Sequence, residues 1–203
     1  MVENERNEIF DVKDPFILIK SWMKEARQTE LNDPDAVALS TVDENGMPNV
    51  RMVLLRYILR DGFLFFSNYN SQKGKEIQNS NKAAFLLHWK SLRKQVRVRG
   101  IVKKDNSELS KKYYSERGYL SKIGAWSSKQ SDVLISRNKL LENVQFFKDK
   151  FRNDPPKPSF WGGYLIKPLE IEFWMDGEHR LHDRFKWSRK ELDSKWTINR
   201  LYP

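Results

Sequence analysis

Near the C-terminus, Arg180, His182 and Arg184 lie two residues apart in the run Ile171-Glu172-Phe173-Trp174-Met175-Asp176-Gly177-Glu178-His179-Arg180-Leu181-His182-Asp183-Arg184-Phe185. On an extended strand that spacing sends all three side chains to one face, and a turn at Asp176-Gly177 would precede them. Two guanidiniums and an imidazole crowd together cheaply only around an anion or a polar ring. An exposed hairpin with a solvated basic face would look the same, so the stretch has to be judged with the rest of the chain.

Three further groups are suited to holding phosphate. The strand Arg51-Met52-Val53-Leu54-Leu55-Arg56 carries a cation at each end of an apolar run. Ser71-Gln72-Lys73 sits where a helix should begin, and Gln130-Ser131 precedes an expected long helix. Helix N-termini attract anions through free N–H groups and the helix dipole, although each of these is equally the form of an ordinary N-cap. Tyr113, Arg117 and Ser121 could converge as hydroxyl and guanidinium donors around a second phosphate. Trp174 and Gln95 could meet a planar heterocycle, by stacking and by a bidentate amide. His88 is given no role, and His179 reads as a turn residue.

The elements expected to position these groups come in short pieces. Asp14-Pro15 followed by Phe16, Ile19, Trp22, Met23 and Ala26 predicts a capped, amphipathic covering helix. Strands are expected over Ala36 to Val42, Asn49 to Tyr57 and Phe63 to Ser67, joined by turns at Asp43-Glu44-Asn45-Gly46 and Arg60-Asp61-Gly62. A short helix from Ser71 to Asn79 leads to strands Ala83 to Trp89 and Lys94 to Lys103. The run Ala83-Ala84-Phe85-Leu86-Leu87 predicts burial on both faces. Ser107 to Glu116 reads as a helix and Ser121 to Ser131 as an irregular loop. A long helix follows, carrying Val133, Leu140, Leu141, Val144, Phe147 and Phe151 and ended by Asn153-Asp154-Pro155-Pro156. The last strands are Tyr164 to Trp174, Arg184 to Ser188 and Lys195 to Leu201. The pattern is that of a mainly β (α+β) antiparallel barrel with flanking helices.

Composition narrows the chemistry. The 203 residues carry 37 Lys and Arg against 27 Asp and Glu, a formal charge of +10 that favours anionic partners. There is no cysteine, which removes disulfides, thiolate catalysis and thiolate metal sites. With only three His and no helix-borne ligand spacing, no metal site is expected. No Gly-x-Ser-x-Gly elbow or dinucleotide fingerprint occurs. Met1 to Glu8 lacks the apolar core of a signal peptide and no later run could span a bilayer, so a cytoplasmic protein without membrane contact is expected.

Together these residues resemble the pyridoxamine (pyridoxine) 5′-phosphate oxidase family from about Asp14 to Pro203. The resemblance is carried by Arg51-Met52-Val53-Leu54-Leu55, Ile123-Gly124-Ala125-Trp126, Gln130-Ser131 and Ser159-Phe160-Trp161-Gly162-Gly163. Ile171-Glu172-Phe173-Trp174, Arg180-Leu181-His182-Asp183-Arg184-Phe185 and Arg200-Leu201-Tyr202-Pro203 complete it. It implies an FMN-binding split β-barrel over 14–203, including a C-terminal dimerisation and active-site region, after a flexible segment 1–13. It further implies a homodimer with FMN at the subunit interface. Carried over by position, FMN would touch Arg51, Met52, Val53, Leu54, Leu55, Arg56, Phe66, Ser67, Gln72, Lys73, Gln95, Gln130, Ser131, Trp174 and Arg184. Substrate phosphate would meet Arg56, Tyr113, Arg117 and Ser121, with Arg180 and His182 as catalytic residues over the pyridine ring.

The implied reaction oxidises the C4′ carbon of pyridoxamine or pyridoxine 5′-phosphate to the aldehyde. The flavin accepts the hydride, and molecular oxygen reoxidises it to give hydrogen peroxide. The chain departs from the family pattern at Arg56 for lysine, Gln72 for arginine and Lys122 for glutamine, and no Arg-Arg-x-Tyr segment is found near the N-terminus. Weaker flavin or substrate affinity is the expected result. Rival readings are another flavin-dependent oxidoreductase on the same barrel, a basic β-barrel that binds nucleic acid, and a non-catalytic carrier of pyridoxal 5′-phosphate.

Overall fold

The computed structural model describes residues 8–105 and 107–203. Strands β1 (Ala36–Val42), β2 (Pro48–Ile58), β3 (Phe63–Asn68), β4 (Lys82–Trp89), β5 (Lys94–Asp105) and β6 (Trp161–Met175) are all antiparallel to their neighbours. Strand order is β3-β2-β1-β4-β5-β6, and a β3–β6 pairing closes the sheet into a six-stranded barrel. Closure depends on the length of β6, 15 residues. Its first half pairs with β3 from Trp161 to Ile166, while its second half carries β7 (Asp183–Ser188), to which β8 (Thr197–Leu201) is added.

Local chemistry sets the turns and bends. At the β1–β2 turn, Asp43 Oδ1 accepts from the Asn45 and Met47 amides, and Gly46 takes φ +83°, a conformation that glycine adopts without strain. The β5–β6 register shifts at Arg99/Gly100, where an added Cβ would stand 2.2 Å from the Lys167 carbonyl oxygen. A bulge there bends the ladder into a barrel wall.

Alternate residues of the strands fill the interior, with Leu39, Phe63, Phe65, Leu87, Val96, Val98, Ile171 and Phe173 almost fully buried. Helix α1 (Pro15–Thr29) covers one end, its Asp14 cap accepting from the Phe16 amide at 2.9 Å. Phe16 stacks on Phe63 and Trp22 meets Phe173 edge-on. Each such side chain contributes about 1.5–3 kcal/mol of burial. Of the expected flexible segment 1–13, residues 1–7 lie outside the described residues. Phe10 is buried and stacks on Phe185, with centroids 4.3 Å apart.

Helices α2 (Gln72–Ser80), α3 (Glu108–Ser115), α4 (Tyr119–Ser127) and α5 (Arg137–Phe151) lie between strands. Several expectations are corrected here. Most of the loop expected over Ser121 to Ser131 is α4: its small residues pack as a helix because Ile123 and Ser127, one turn apart, are both buried. The long helix starts only at Arg137, capped by Ser136, and Val133 precedes it in exposed chain. Gln130-Ser131 therefore does not stand at a helix N-terminus, and Ser131 has φ +78°. Strand β4 is buried on one face only, with Ala84 and Leu86 half-exposed, since a single barrel wall offers one interior. Arg180 and His182 are not on a strand. The Leu181 amide donates to the Glu178 carbonyl across His179 and Arg180, both at positive φ, and this tight turn leaves only Arg184 on β7. No helix among the described residues is long and apolar enough to cross a membrane.

Candidate active site

Strand β2, the end of β3, the start of α2, the end of α3 and the segment after α4 surround a cleft of about 500 Å³. It gathers Arg51, Met52, Val53, Leu54 and Arg56 from β2, Phe66 and Ser67 from β3, and Gln72 and Lys73 from α2. Tyr113, Arg117, Gln130 and Ser131 complete its wall. Leu55 does not line it, being 3% exposed and part of the core. Ser121 lines an adjoining hollow that shares Phe66, Ser67, Arg117 and Gln130 with the cleft.

The cations are held in place from behind. Glu76, 2% exposed, accepts from Arg51 Nη2 at 3.2 Å, Gln72 Nε2 at 3.0 Å and Asn49 Nδ2 at 3.2 Å, and also from the Thr41 hydroxyl. Burial alone would push the Glu76 carboxyl up, but those hydrogen bonds and the Arg51 charge hold it below the usual glutamate range. Lys73 Nζ donates to Ser71 Oγ at 3.2 Å and Gln130 Oε1 at 3.1 Å. Burial and then Arg51 lower the Lys73 pKa, with Glu76 opposing them. A dianion in the cleft would relieve that cost. Asp35 pairs with Arg56 at 3.1 Å, and the Arg56 guanidinium lies 5.7 Å from the Tyr113 centroid.

Above the cations runs an aromatic stack. Phe66 is parallel to Tyr113 within 4° at 4.2 Å, and to Trp161 within 7° at 5.4 Å. The Arg117 guanidinium lies 5.0 Å from the Trp161 centroid, and its Nη2 donates to the Ser121 carbonyl at 3.3 Å. Arg117 Nε is buried and has no hydrogen-bond partner among the described residues. A buried guanidinium N–H left unpaired is costly, which marks a place where an anionic ligand would fit.

A second cluster lies off the cleft. Gln95, Trp174 and Arg184 stand in one row across β5, β6 and β7. Arg184 is fixed by the nearly buried Glu172 at 2.8 Å and by the Tyr202 carbonyl at 2.9 Å. The His182 ring packs 4.6 Å from Trp174, and its Nδ1 lies 3.2 Å from both the Gly177 amide and Asp176 Oδ1. Arg180 is exposed, has φ +65°, and makes no ion pair or ring contact among the described residues. Sequence reasoning missed Glu76, Thr41 and Asp35. Glu76 had a local signal, standing one helical turn after Gln72; the others had none, because strand pairing alone brings them in.

A closed antiparallel barrel extended by β7 and β8, with a cationic cleft on its flank, defines a split-barrel protein with a site suited to anionic ligands. Residues 23–149 match the family described as pyridoxamine 5′-phosphate oxidase, and 161–203 match the pyridoxine 5′-phosphate oxidase C-terminal dimerisation region. Proteins named pyridoxine/pyridoxamine 5′-phosphate oxidase are similar throughout. One from Cereibacter sphaeroides is 52% identical over 98% of this chain and 100% of its own, and one from Ruegeria sp. is 49% identical over the same shares. Among solved structures, PhzG from Burkholderia lata in complex with tetrahydrophenazine-1-carboxylic acid superposes with TM-score 0.89 at 26% identity, covering 96% of this chain and 95% of its own. An FMN-binding protein from Nostoc punctiforme shares the fold at TM-score 0.73 and 16% identity, covering 93% of this chain and 98% of its own. The chain belongs to the pyridoxine/pyridoxamine 5′-phosphate oxidase family and is an enzyme of that family.

Proposed function

We propose that the protein oxidises pyridoxamine 5′-phosphate and pyridoxine 5′-phosphate to pyridoxal 5′-phosphate, using bound FMN and molecular oxygen and releasing hydrogen peroxide. With the amine one water is consumed and ammonia leaves; with the alcohol neither is needed. The observation that carries this reading is the convergence in one cleft of Arg51, Arg56, Lys73 and the unpaired Nε of Arg117. Two phosphorylated rings need separate anchors, and four cations in one cleft are enough for two.

FMN would supply a two-electron acceptor for the hydride leaving C4′. Arg51, Gln72, Lys73, Gln130 and Ser131 would hold its phosphate and neighbouring polar atoms, with Met52, Val53, Leu54, Phe66 and Ser67 along its length. Arg56, Tyr113, Arg117 and Ser121 would hold the substrate phosphate. Orientation by these groups is the protein's main contribution to rate.

A homodimer completes the site in this reading. Gln95, Trp174, Arg184, His182 and Arg180 do not line the cleft of their own chain; the last four lie on the region that matches a dimerisation family, and Gln95 is paired to Trp174 across β5 and β6. A partner would bring them over the flavin and pyridine rings, where Arg180 would clamp the substrate and His182 would hydrogen-bond beside it. The rival is an oxidoreductase of the same barrel acting on an unphosphorylated ring, as the ligand of the Burkholderia relative would suggest. Against it stand Arg56 and Arg117, cations that a carboxylate alone would leave underused.

The test is the visible spectrum of the purified holoenzyme under anaerobic conditions. Pyridoxamine 5′-phosphate should bleach the yellow flavin, and air should restore it with one hydrogen peroxide formed per aldehyde. A flavin-loaded protein that stays yellow with both phosphorylated substrates would overturn the reading.

A further inference from the structure

Arg56 reaches the cleft from an irregular point of β2. The β2–β3 register steps from Leu55↔Phe65 to Tyr57↔Leu64, leaving Arg56 as the extra residue of a bulge, and the ladder to β1 has already ended at Ala36↔Leu54. Bulges re-aim side chains, and this one sets Arg56 in the cleft wall directly after the buried Leu55. Strand pairing on neither side fixes the direction of its long, rotatable stem.

A carboxylate does so instead. Asp35 Oδ2 accepts from Arg56 Nη1 at 3.1 Å, and the guanidinium lies 5.7 Å from the Tyr113 centroid. The two side chains are 34% and 20% exposed for Arg56 and Asp35, so solvent competes with the contact less than at an open surface. Asp35 does not line the cleft, so it grips Arg56 from behind, as Glu76 grips Arg51. Its own place is fixed by the turn around it. The Asp35 carbonyl accepts from the Leu55 amide at 2.8 Å, the Asp33 carbonyl from the Ala36 amide at 2.9 Å, and the Pro34 carbonyl from Nε1 of the buried Trp89 at 2.7 Å.

A carboxylate behind a cation has two opposed effects on a phosphate in front of it. It offsets charge, which weakens attraction, and it fixes the guanidinium fork, so that less freedom is lost when the phosphate arrives. The hold on Nη1 is direct, whereas the repulsion acts across the guanidinium from outside the cleft, and the hold therefore dominates. We propose that Asp35 is a positioning residue for substrate binding: it holds Arg56, freed from the ladder by the bulge, with its remaining N–H groups toward the phosphate of the substrate. The inference rests on the reading above that Arg56 binds that phosphate. Asp35 itself touches neither ring, so its effect belongs in binding rather than in the chemical step.

The experiment uses the FMN-saturated enzyme and the variants Asp35→Ala, Asp35→Asn, Arg56→Ala, Arg56→Lys and Asp35→Ala/Arg56→Lys. Fluorescence titration gives the Kd for pyridoxal 5′-phosphate and for pyridoxal, and steady-state assays give kcat and KM for pyridoxamine 5′-phosphate. Asp35→Ala should raise that KM and the Kd for pyridoxal 5′-phosphate about 10-fold, the size of one misplaced charge-assisted hydrogen bond, with kcat and pyridoxal binding within about 2-fold of the parent. Asp35→Asn keeps an oxygen acceptor without the charge and should raise both by about 3-fold; it also serves if Asp35→Ala does not fold. In the Arg56→Lys background, where a point charge replaces the fork, adding Asp35→Ala should change the Kd by no more than about 2-fold. A merely structural role for Asp35 would give the same loss in both backgrounds, and that result overturns the inference. So does tighter phosphate binding in Asp35→Asn, which would make the carboxylate a counter-charge rather than an orienting group. If Asp35→Ala is silent while Arg56→Ala weakens phosphate binding, this inference fails and the reading of Arg56 stands; if Arg56→Ala is silent too, both fail.

Discussion

Arg51 on β2 reaches to Glu76 on α2, Nη2 to Oε2 3.2 Å, and the contact joins the barrel wall to the helix that carries Lys73. The carboxylate is almost fully enclosed and also serves Thr41, Asn49 and Gln72, so a strand and a helix are fixed to each other by one anion.

Removing that anion should loosen the fold. Glu76→Ala strands several donors, and we expect a loss of about 2–3 kcal/mol, below the full cost of a broken buried pair because the Arg51 side chain is 20% exposed. Urea unfolding measures it. The pH dependence follows from the sign of the shift. The native Glu76 pKa lies below its unfolded value of about 4.3, so its stabilisation is complete above that pH and is lost as pH falls through the native value. Comparing acid unfolding of the parent and Glu76→Gln should show this limb only in the parent.

Lys73→Met should weaken FMN binding about 10- to 100-fold, the cost of one charge-assisted hydrogen bond to a phosphate. Because burial and Arg51 depress the Lys73 pKa in the free protein and a bound phosphate raises it, binding takes up a proton in alkaline solution. FMN affinity should therefore decline as pH rises through the depressed value. Quenching of free flavin fluorescence gives both quantities, and a flat alkaline profile would count against Lys73 as the anchor.

If two chains share each site, defects on opposite clusters should complement. Lys73→Met homodimers and Arg180→Ala homodimers should each lose most activity. A mixed dimer places both lesions in one site and leaves the other intact, so it should recover about half of the parental rate per dimer. Co-expression with two affinity tags isolates it. Activity no higher than that of the homodimers would mean that each chain builds its site alone.

Gly74 sets where α2 begins. A Cβ at this position would stand 2.1 Å from the Tyr69 carbonyl oxygen, a backbone atom that cannot swing aside. Gly74→Ala should cost about 1–3 kcal/mol in thermal unfolding, despite alanine's better helix propensity. FMN affinity should fall with it, since Lys73 is the adjacent residue.

Where neighbours in sequence remained neighbours in space, the elements were legible. The Asp14-Pro15 cap, the Asp43 to Gly46 turn and the alternation along β1 are properties of a few consecutive residues. Helix α4 was not legible, because Ser121, Gly124 and Ser127 favour a loop by propensity and become helical through the burial of Ile123 beneath them. The spacing of Arg180, His182 and Arg184 suggested one strand face. The hydrogen bond from the Leu181 amide to the Glu178 carbonyl curled that segment instead.

By itself the sequence determined which side chains could carry the chemistry: cations and hydroxyls for phosphate, aromatics for rings, and no thiol at all. It also determined the barrel, since period-two strands with tight turns leave few other ways to bury one face. Only the tertiary structure decided that Arg51, Lys73, Arg117 and Gln130 share one cleft, that Glu76 is the anchor behind it, and that Gln95, Trp174 and Arg184 stand apart in a row of their own. The reason is physical. Side-chain type and local period are written residue by residue, whereas convergence depends on β6 pairing with strands nearly a hundred residues away, which no local pattern encodes.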